Sequence, residues 1–432
     1  MDGASKHHEI DPADVRVSDP ALHPIREKVL AGVSLDVADG VTLYRTPDIH
    51  GVGRLAHAVR TRLHGDKVFY NRNRHINYTN VCALSCKFCS FYRKRGEEGA
   101  YEMPVEQVVA AARKAADAGA TEVHVVGGLH PWLKFDYYLE MLRGIRAACP
   151  QLHVKAFTAI EIVHFTRIAR LSVREVLEAL RDAGLGSLPG GGAEIFDDRV
   201  HDEAFKGKVR ADKWFDVHRT AHALGLYSNA TMLYGHVETV EERVRHLVKL
   251  RELQSESLAA MRQAKPRPDG ETNRDAASNG GACSPACFNC AIPLSFIPED
   301  SELGHLPGPT GLTDLRTLAV ARLMLDNVAH VKAFWIMQSV HLSQLALDWG
   351  CDDLDGTVVW YDITKREGGW GNNHQELHVS AIKRLIREAG KTPVERDTLY
   401  RAVVRDANDR VVAPADLVPP PPAAVDLLPA GA

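Results

Sequence analysis

The chain has 432 residues, and its composition excludes several classes of protein. Hydrophobic residues make up 45% and charged residues 25% of it, which is ordinary for a globular protein and argues against a fibrous or wholly disordered chain. The formal net charge of -4 gives no signature of a polyanion-binding surface, so we expect no nucleic acid partner. The opening MDGASKHHEIDP has no apolar run, and no later stretch is long enough to span a membrane. We therefore expect a cytoplasmic protein with free thiols and no membrane partner.

The two ends of the chain differ from its centre. Residues 1–20 are expected to form a flexible tail, and residues 21–70 a helical extension that covers one end of the following domain. Residues 71–411 are expected to form that domain. The Pro- and Ala-rich residues 412–432 are expected to form a second flexible tail.

From about residue 70, short apolar runs alternate with longer amphipathic stretches, a pattern typical of parallel βα units. Each run is almost unalternated, as expected for strands buried on both faces. Helices are predicted between the runs, for example over 104–118, 173–183 and 240–253. The candidate strands lie near 74–81, 122–127, 153–160, 186–189, 228–234, 291–297, 330–337 and 356–361. Eight strands predict an α/β fold with a single TIM-type (β/α)8 barrel, whose working loops follow the C-terminal ends of the strands.

Three cysteines follow the first predicted strand, in the segment NVCALSCKFCSFYR. Cys82, Cys86 and Cys89 form a C-x3-C-x2-C array. Three thiolates from one loop can hold three irons of a [4Fe-4S] cluster, and no fourth cysteine follows at ferredoxin-like spacing. One iron would then stay open for a substrate.

A structural zinc site is the main alternative for these cysteines. Such a site needs four ligands, usually as two separated pairs, and the fourth would be His75 or a distant cysteine. The bunched triplet favours the cluster. A disulfide fits less well, because the expected compartment is reducing.

The array resembles the signature of the radical S-adenosylmethionine (SAM) superfamily. There the open iron binds the methionine end of SAM, and an aromatic side chain beside the last cysteine lies near the adenine. The resemblance implies a radical SAM barrel with a [4Fe-4S] cluster, SAM as co-substrate, and Phe88 in the aromatic position.

Further SAM contacts are expected at the ends of the next strands. Gly127 and Gly128 end the second strand and resemble the glycine motif whose backbone receives the amino group of SAM. Glu161 ends the third strand, and Glu194 follows a glycine run after the fourth. Either carboxylate would hold the ribose or ammonium group of SAM, or else cap a helix or face solvent.

Ordered segments over most of residues 40–400 resemble the aminofutalosine synthase family of the futalosine route to menaquinone. The run DDLDGT favours this family over the related dehypoxanthine futalosine cyclases. After Val359 the sequence WYDITKREGGWGNNHQEL departs from the family pattern. The matching segments are HINYTN, VHVVGGLHP, KAFTAIEI, LPGGGAEIF, YGHVET, KAFWIM, DDLDGT and PVERDTLY.

The resemblance implies a reaction. The 5′-deoxyadenosyl radical would add to the vinyl carbon of 3-[(1-carboxyvinyl)oxy]benzoate, giving 6-amino-6-deoxyfutalosine, methionine and bicarbonate, with a flavodoxin or ferredoxin as one-electron reductant. The two carboxylates of this aryl enol ether require cationic or hydrogen-bonding partners, and Arg74, His75 and His130 are the candidates. A cyclase, a deazaflavin-type synthase, and a non-catalytic zinc or iron–sulfur protein remain alternatives.

An insertion over 255–288 is rich in Pro, Gly, Asn and Ser, has no period and is expected to be disordered. Its end repeats the cysteine spacing at Cys283, Cys287 and Cys290, so a second metal site is an alternative to unliganded thiols. Because this segment precedes the sixth strand, it should lie at the N-terminal face of the barrel, roughly 20 Å from the first triplet.

Two smaller features complete the sequence. Cys149 and Cys351 lie singly near element ends and are expected to be packing residues. The pentapeptide His-Val-Lys-Ala-Phe begins at residue 153 and again at residue 330, on the third and seventh predicted strands. We interpret this echo as coincidence rather than as the trace of a duplicated half barrel.

Overall fold

A curved parallel sheet forms the centre of the protein in the computed structural model, which describes residues 11, 13, 15–264, 283–358 and 375–412. Seven strands, β2 to β8, pair in sequence order, and every pairing is parallel. The first nine strands are β1 Lys67–Asn71, β2 Asn73–Ile76, β3 Glu122–Val125, β4 His153–Ala156, β5 Ser187–Leu188, β6 Tyr227–Tyr234, β7 Phe288–Ser295, β8 His330–Val331 and β9 Asp353–Gly356.

Strand β9 closes the sheet into a barrel. It pairs in parallel with β1, and the amide of Ala333, just after β8, donates to the carbonyl of Asp353 at 2.8 Å. Strands β1 and β2 follow each other directly along the chain and together form one staff of the barrel wall. Strands β3 to β9 form the other seven, so eight strand positions surround the core. The predicted (β/α)8 barrel is confirmed.

Helices cover the outside of this wall. Several begin with a capping box, in which the side chains of two residues three apart each accept a hydrogen bond from the backbone amide of the other. Ser172 and Glu175 form such a box at the start of one helix. From the N-terminus to the barrel's last helix they are α1 His23–Leu30, α2 Val37–Arg45, α3 Ile49–His64, α4 Val105–Asp117, α5 Phe135–Ala148, α6 Ala159–Ala169, α7 Val173–Ala183, α8 Asp198–Ala204, α9 Ala211–Ala223, α10 Val240–Gln263, α11 Gly311–Met324, α12 Trp335–Gln338, α13 Val340–Ala346 and α14 Val379–Glu388.

The N-terminal helices α1 to α3 pack on the flank of the barrel. The guanidinium of Arg316, on α11, donates to the carbonyls of Tyr44 and Thr46 at 2.6 and 2.7 Å. Arg251, on α10, donates to the carbonyl of Leu35 at 2.8 Å. Val15, within the stretch expected to be a flexible tail, is fully buried.

The C-terminal segment seals the N-terminal end of the barrel. Strand β10, Thr392–Glu395, pairs with β1, and the chain then crosses beneath the strands. There the Thr398 hydroxyl donates to Glu122 at 2.7 Å, and the ring of Tyr400 stacks on His330 with centroids 3.6 Å apart. A short antiparallel pair, β11 Val404–Arg405 and β12 Val411–Val412, follows.

Several predicted boundaries differ from the structure. The run over 153–160 ends as a strand at Ala156, because Thr158 and Glu161 form a capping box that starts α6. The run over 330–337 likewise divides into β8 and α12. Buried apolar runs fit a strand or a buried helix equally well, so period alone does not separate them. The last predicted strand, 356–361, lies mostly at 353–356, and its final residues are outside the described part.

The expectation of disorder over 255–288 is wrong at both ends. Helix α10 continues to Gln263 with Leu258 fully buried, and β7 begins at Phe288. Burial of an apolar face outweighs the polar composition there. Residues 265–282 lie outside the described part of the chain, as do most of the predicted C-terminal tail and the departing segment after Val359.

The floor of the barrel generates a stability prediction. Tyr400→Ala removes the stack on His330 and the contact with the Arg396 guanidinium, which lies 4.3 Å from the ring centroid. Loss of this buried ring should lower the free energy of unfolding by about 3 kcal/mol, measured by urea denaturation. Tyr400→Phe is the matched control and should stay near wild type, since the Tyr400 hydroxyl has no hydrogen-bond partner in the described structure. Equal stability of the Ala and Phe variants would contradict this role.

Candidate active site

The three cysteines of the first triplet lie at the open, C-terminal end of the barrel. Cys82, Cys86 and Cys89 all line one cavity of about 300 Å³ that extends down the barrel interior. The loop is tied to the wall, because the Ala83 amide donates to the Leu129 carbonyl at 2.9 Å. Lys94 reinforces it by donating to the carbonyls of Cys82 and Leu84 at 3.0 and 2.8 Å.

The chemistry of these thiols fits an iron–sulfur cluster. Two backbone amides, of Leu84 and Leu129, point at the Cys82 sulfur, each at 3.4 Å. Burial raises the pKa of the Cys86 thiol to about 12 and also raises that of Cys89, while the cation of Lys208 opposes both shifts. Buried thiols in such surroundings become thiolates only when a metal compensates their charge. The structure therefore supplies three soft ligands around one space.

Lys208 is a functional candidate that the sequence did not reveal. Its ammonium forms an ion pair with Glu194 and lies 4.8 Å from the ring centroid of Phe88. Burial opposes its charge, but Glu194 raises the pKa of Lys208 above its usual value. This brings Phe88 and Glu194, both predicted from sequence, to one side of the cysteine loop.

The glycine motif lies directly against the cysteine loop. A Cβ on Gly128 would lie 2.4 Å from the Val81 carbonyl oxygen, so only glycine permits this close approach. The Gly127 amide donates to Glu161 at 3.1 Å, and the Gly128 amide to the Thr79 carbonyl at 2.8 Å. The two glycines thus bring the first and second strand ends together beside the cavity.

Glu161 combines the two interpretations that the sequence left open. Its carboxylate caps α6 by accepting from the amide and hydroxyl of Thr158 at 2.7 and 2.8 Å, and it accepts from the Tyr78 hydroxyl at 2.7 Å. Burial raises the pKa of Glu161 to about 7 against these hydrogen bonds. The side chain also lines the cavity, so a capping residue stands at the site.

The closed end of the cavity is polar and holds buried ion pairs. Lys155 on β4 contacts Glu122 on β3 at 2.9 Å, and Lys332, just after β8, contacts Asp355 on β9 at 2.6 Å. Arg396 from the C-terminal segment contacts Asp353 at 2.6 Å. All but the Arg396–Asp353 pair line the cavity.

One side wall of the cavity is apolar. It is formed by strands β6 and β7 and by the segments that follow β7 and β8. The side chains on this wall include Leu233, Ile292, Leu294, Phe296, Phe334 and Met337. The cavity thus offers an apolar face along its length and charged groups at its closed end, a combination typical of sites for small organic molecules.

The residues predicted to face the substrate carboxylates divide into two groups. His75 lines the cavity. Arg74, which alternates with Asn73 and His75 along β2, does not belong to the lining in the described structure. His130 is also outside the lining; its Nε2 contacts Glu102 at 2.7 Å, and its Nδ1 accepts from the Leu133 amide at 3.1 Å.

Lys155 and Lys332 were missed, although a signal was present. Each is the lysine of a His-Val-Lys-Ala-Phe pentapeptide, and each lies in an otherwise buried run. A lysine in such a run requires a partner carboxylate in the fold. The repeated pentapeptide therefore contained two buried cations, one in each copy.

The second cysteine triplet lies at the other end of the barrel, as predicted. Cys290 is on β7, and its sulfur accepts a hydrogen bond from the side-chain Nδ2 of Asn229 at 3.1 Å. Cys287 precedes β7 and is buried, and Cys283 contacts Arg181 at 3.6 Å. Cys149 and Cys351 are buried among apolar side chains, as expected for packing residues.

One other group in the described chain could hold an ion. His64, His330 and Asp352 place their ligand atoms within 4.8 Å of one another. However, the guanidinium of Arg322 is paired with Asp352 in the same place. An adjacent buried cation disfavours a second one, so we interpret this group as a structural network.

The barrel, the cysteine loop at its open end and the cavity that leads from this loop into the barrel define an enzyme of the radical SAM class. A Radical SAM superfamily model matches residues 76–250, and a CofH/MqnC C-terminal region model matches residues 286–408. Methylornithine synthase (PylB) has a similar fold, with a TM-score of 0.62 and 18% identity over 85% of this chain and 96% of that one.

Comparison with curated relatives identifies the family within the radical SAM class. The aminodeoxyfutalosine synthase of Thermus thermophilus is 44% identical over 90% of this chain and 97% of its own length, and that of Streptomyces coelicolor is 42% identical over 87% and 92%. A 5-amino-6-(D-ribitylamino)uracil–L-tyrosine 4-hydroxyphenyl transferase of Methanopyrus kandleri is 35% identical over 91% and 98%. The chain belongs to the aminodeoxyfutalosine synthase family of radical SAM enzymes. Within its described residues, no helix is both long and apolar enough to cross a membrane.

The first triplet generates a prediction on iron. Replacing Cys82, Cys86 or Cys89 singly by alanine removes a thiolate ligand, so iron and sulfide content and reductive SAM cleavage should fall to background while circular dichroism stays unchanged. Cys149→Ala, which changes a buried thiol outside the cavity, is the control and should retain iron. A full iron complement in the three single variants would exclude these ligands.

The second triplet generates the opposite prediction. Because Cys283, Cys287 and Cys290 contact separate parts of the structure, replacing all three by alanine should leave iron per chain and SAM cleavage near wild type. Anaerobic iron and zinc analysis of the purified variant checks this. Loss of several irons, or of stoichiometric zinc, with the fold intact would instead establish a second metal site.

Proposed function

We propose that this enzyme joins the 5′-deoxyadenosyl group of SAM to 3-[(1-carboxyvinyl)oxy]benzoate, giving 6-amino-6-deoxyfutalosine, methionine and bicarbonate for menaquinone biosynthesis. The observation that carries the proposal is the single cavity that connects the three cysteines with the buried lysines at its closed end. The similarity to two curated aminodeoxyfutalosine synthases supports the same reaction.

Cys82, Cys86 and Cys89 would hold the cluster at the open end of the cavity. When bound, a [4Fe-4S] cluster supplies the electron that divides SAM into methionine and a 5′-deoxyadenosyl radical. The chain itself holds the ligand loop in place through Lys94 and shields it within the barrel mouth. A flavodoxin or ferredoxin in a reducing cytoplasm is the proposed electron source.

The residues beside the cysteines would position SAM. Phe88 would provide the aromatic face for the adenine, and the backbone at Gly127 and Gly128 would receive the amino group. The Lys208–Glu194 pair lies beside Phe88 and provides one charge of each sign for the zwitterionic methionine end. Glu161 would fix the glycine segment through its hydrogen bond with the Gly127 amide.

The rest of the cavity would bind the aryl enol ether. Its aromatic ring suits the apolar wall of β6 and β7, and its benzoate carboxylate suits Lys155, Lys332 and His75. Arg74 and His130 contribute less in this proposal, because neither lines the described cavity. Closing of the floor by the C-terminal segment excludes water from a reaction in which a radical would otherwise be quenched.

The fate of the adenosyl group tests the function. Reduced enzyme incubated anaerobically with adenosyl-labelled SAM and the enolpyruvyl benzoate should place the label in a futalosine-type nucleoside, with methionine formed in equimolar amount, measured by liquid chromatography and mass spectrometry. Addition keeps the adenosyl group in the product, whereas hydrogen abstraction releases it.

The control reaction contains SAM and tyrosine with 5-amino-6-(D-ribitylamino)uracil, the substrates in the name of the Methanopyrus relative. Labelled 5′-deoxyadenosine as the main product, with the enol ether unconsumed, would refute the proposed reaction. Turnover in the control mixture would assign the relative's activity in its place.

A further inference from the structure

The ion pairs at the closed end are balanced before any ligand enters. Each buried cation there has its own carboxylate partner in direct contact. A ligand carboxylate would therefore add a negative charge that these pairs do not compensate. Burial of an uncompensated charge is costly, so a site of this kind requires a further positive charge on binding.

Two histidines adjoin these pairs and can supply that charge. His75 on β2 and His124 on β3 are partners in the strand register, with ring centroids 4.3 Å apart, and His124 is in register with Lys155 on β4. Both histidines line the cavity. The Nε2 atom of His124 is buried and has no hydrogen-bond partner among the described residues.

Burial disfavours the charged form of both histidines. Burial lowers the pKa of His75 to about 4. Burial, followed by the neighbouring His75 and Lys155, lowers the pKa of His124 well below its usual value. An anion beside the two rings opposes these effects and favours the protonated form.

We propose that the closed end of the cavity is an aryl-carboxylate site that takes up one proton, on the His75–His124 pair, when the carboxylate binds. The identity of the ligand rests on the proposed function. The vinyl carbon of the enol ether must lie beside SAM at the open end, so the benzoate carboxylate is the end that reaches the histidines. The proton comes from bulk water, and no other bond changes.

The neighbouring carboxylates are poorer proton acceptors than the histidines. Although burial opposes ionisation, Lys155 and Arg396 hold the pKa of Glu122 below its usual value, and Lys332 does the same for Asp355. A proton on either would break an existing ion pair. The charged and titratable groups that face the two rings are Glu122, Lys155, Lys332, Asp355 and, through its pair with Asp353, Arg396.

The proposal fixes the direction of the pH dependence. Because the bound complex holds the extra proton, affinity for the carboxylate should weaken as the pH rises from the free pKa towards the bound pKa of the pair. Within that window, the dissociation constant should increase by up to about tenfold per pH unit.

Calorimetry on the cluster-loaded enzyme without SAM tests the proposal. The enolpyruvyl benzoate and, separately, 3-methoxybenzoate are titrated anaerobically at pH 7.5 in buffers of different ionisation enthalpy, which yields the protons taken up per ligand. We expect uptake of roughly half a proton or more for both acids. We expect none for the methyl ester of 3-methoxybenzoate, which carries no charge.

Variants assign the proton to its site. His124→Asn and the double change with His75→Asn should abolish uptake and weaken acid binding, while the exposed His305→Asn should match wild type. Asp355→Asn leaves the Lys332 ammonium without its carboxylate partner, so it should lower proton uptake while acid binding is retained. Cluster absorbance and circular dichroism check that each variant is folded.

The outcomes separate the two proposals. Binding of both acids without proton uptake would overturn the proton-linked site, as would uptake that survives in the double histidine variant or stays unchanged in Asp355→Asn. Binding of 3-methoxybenzoate with uptake, but no binding of the enol ether, would contradict the proposed function and support the site. Failure of both acids to bind would overturn the carboxylate site itself.

Discussion

Charge neutrality in the buried interior of the barrel is the constraint on which this structure depends. Lys155, Lys332 and Arg396 are buried, and each is stable there only because a carboxylate lies in contact with it. These contacts join neighbouring strands, β3 to β4 and β8 to β9. The polar end of the cavity is therefore also a set of cross-links in the wall, and its geometry cannot change without loss of stability.

The C-terminal segment closes the N-terminal end of the barrel, so the barrel is open only at its C-terminal end. It adds β10 beside β1, pairs Arg396 with Asp353, and places Thr398 on Glu122, the partner of Lys155. Residues far apart in sequence thus set the position of the ammonium that faces the cavity. The C-terminal segment from β10 onward therefore supports the cavity although none of its described side chains lines it.

The sequence predicted what depends on local pattern and missed what depends on long-range pairing. The period of apolar runs gave the barrel, and the spacing of Cys82, Cys86 and Cys89 gave the loop at its open end, because both signals lie within short windows. Lys155 and Lys332 were missed, since a buried lysine is defined by a partner elsewhere in the chain. Arg74 lies outside the cavity lining, because alternation along a strand decides which side chains face the cavity and a shift of one residue reverses it.

The two ends of the cavity differ in whether their buried side chains are charged. At the open end, burial holds Cys86 and Cys89 as thiols, so that a metal is required to create the charges that the loop then surrounds. At the closed end the charges exist beforehand and are already balanced, so that an incoming anion needs a new positive charge. Between them lies an apolar wall that contributes no charge to either end. A ligand that spans the cavity therefore meets apolar side chains along its middle and a closed end whose charges are already paired.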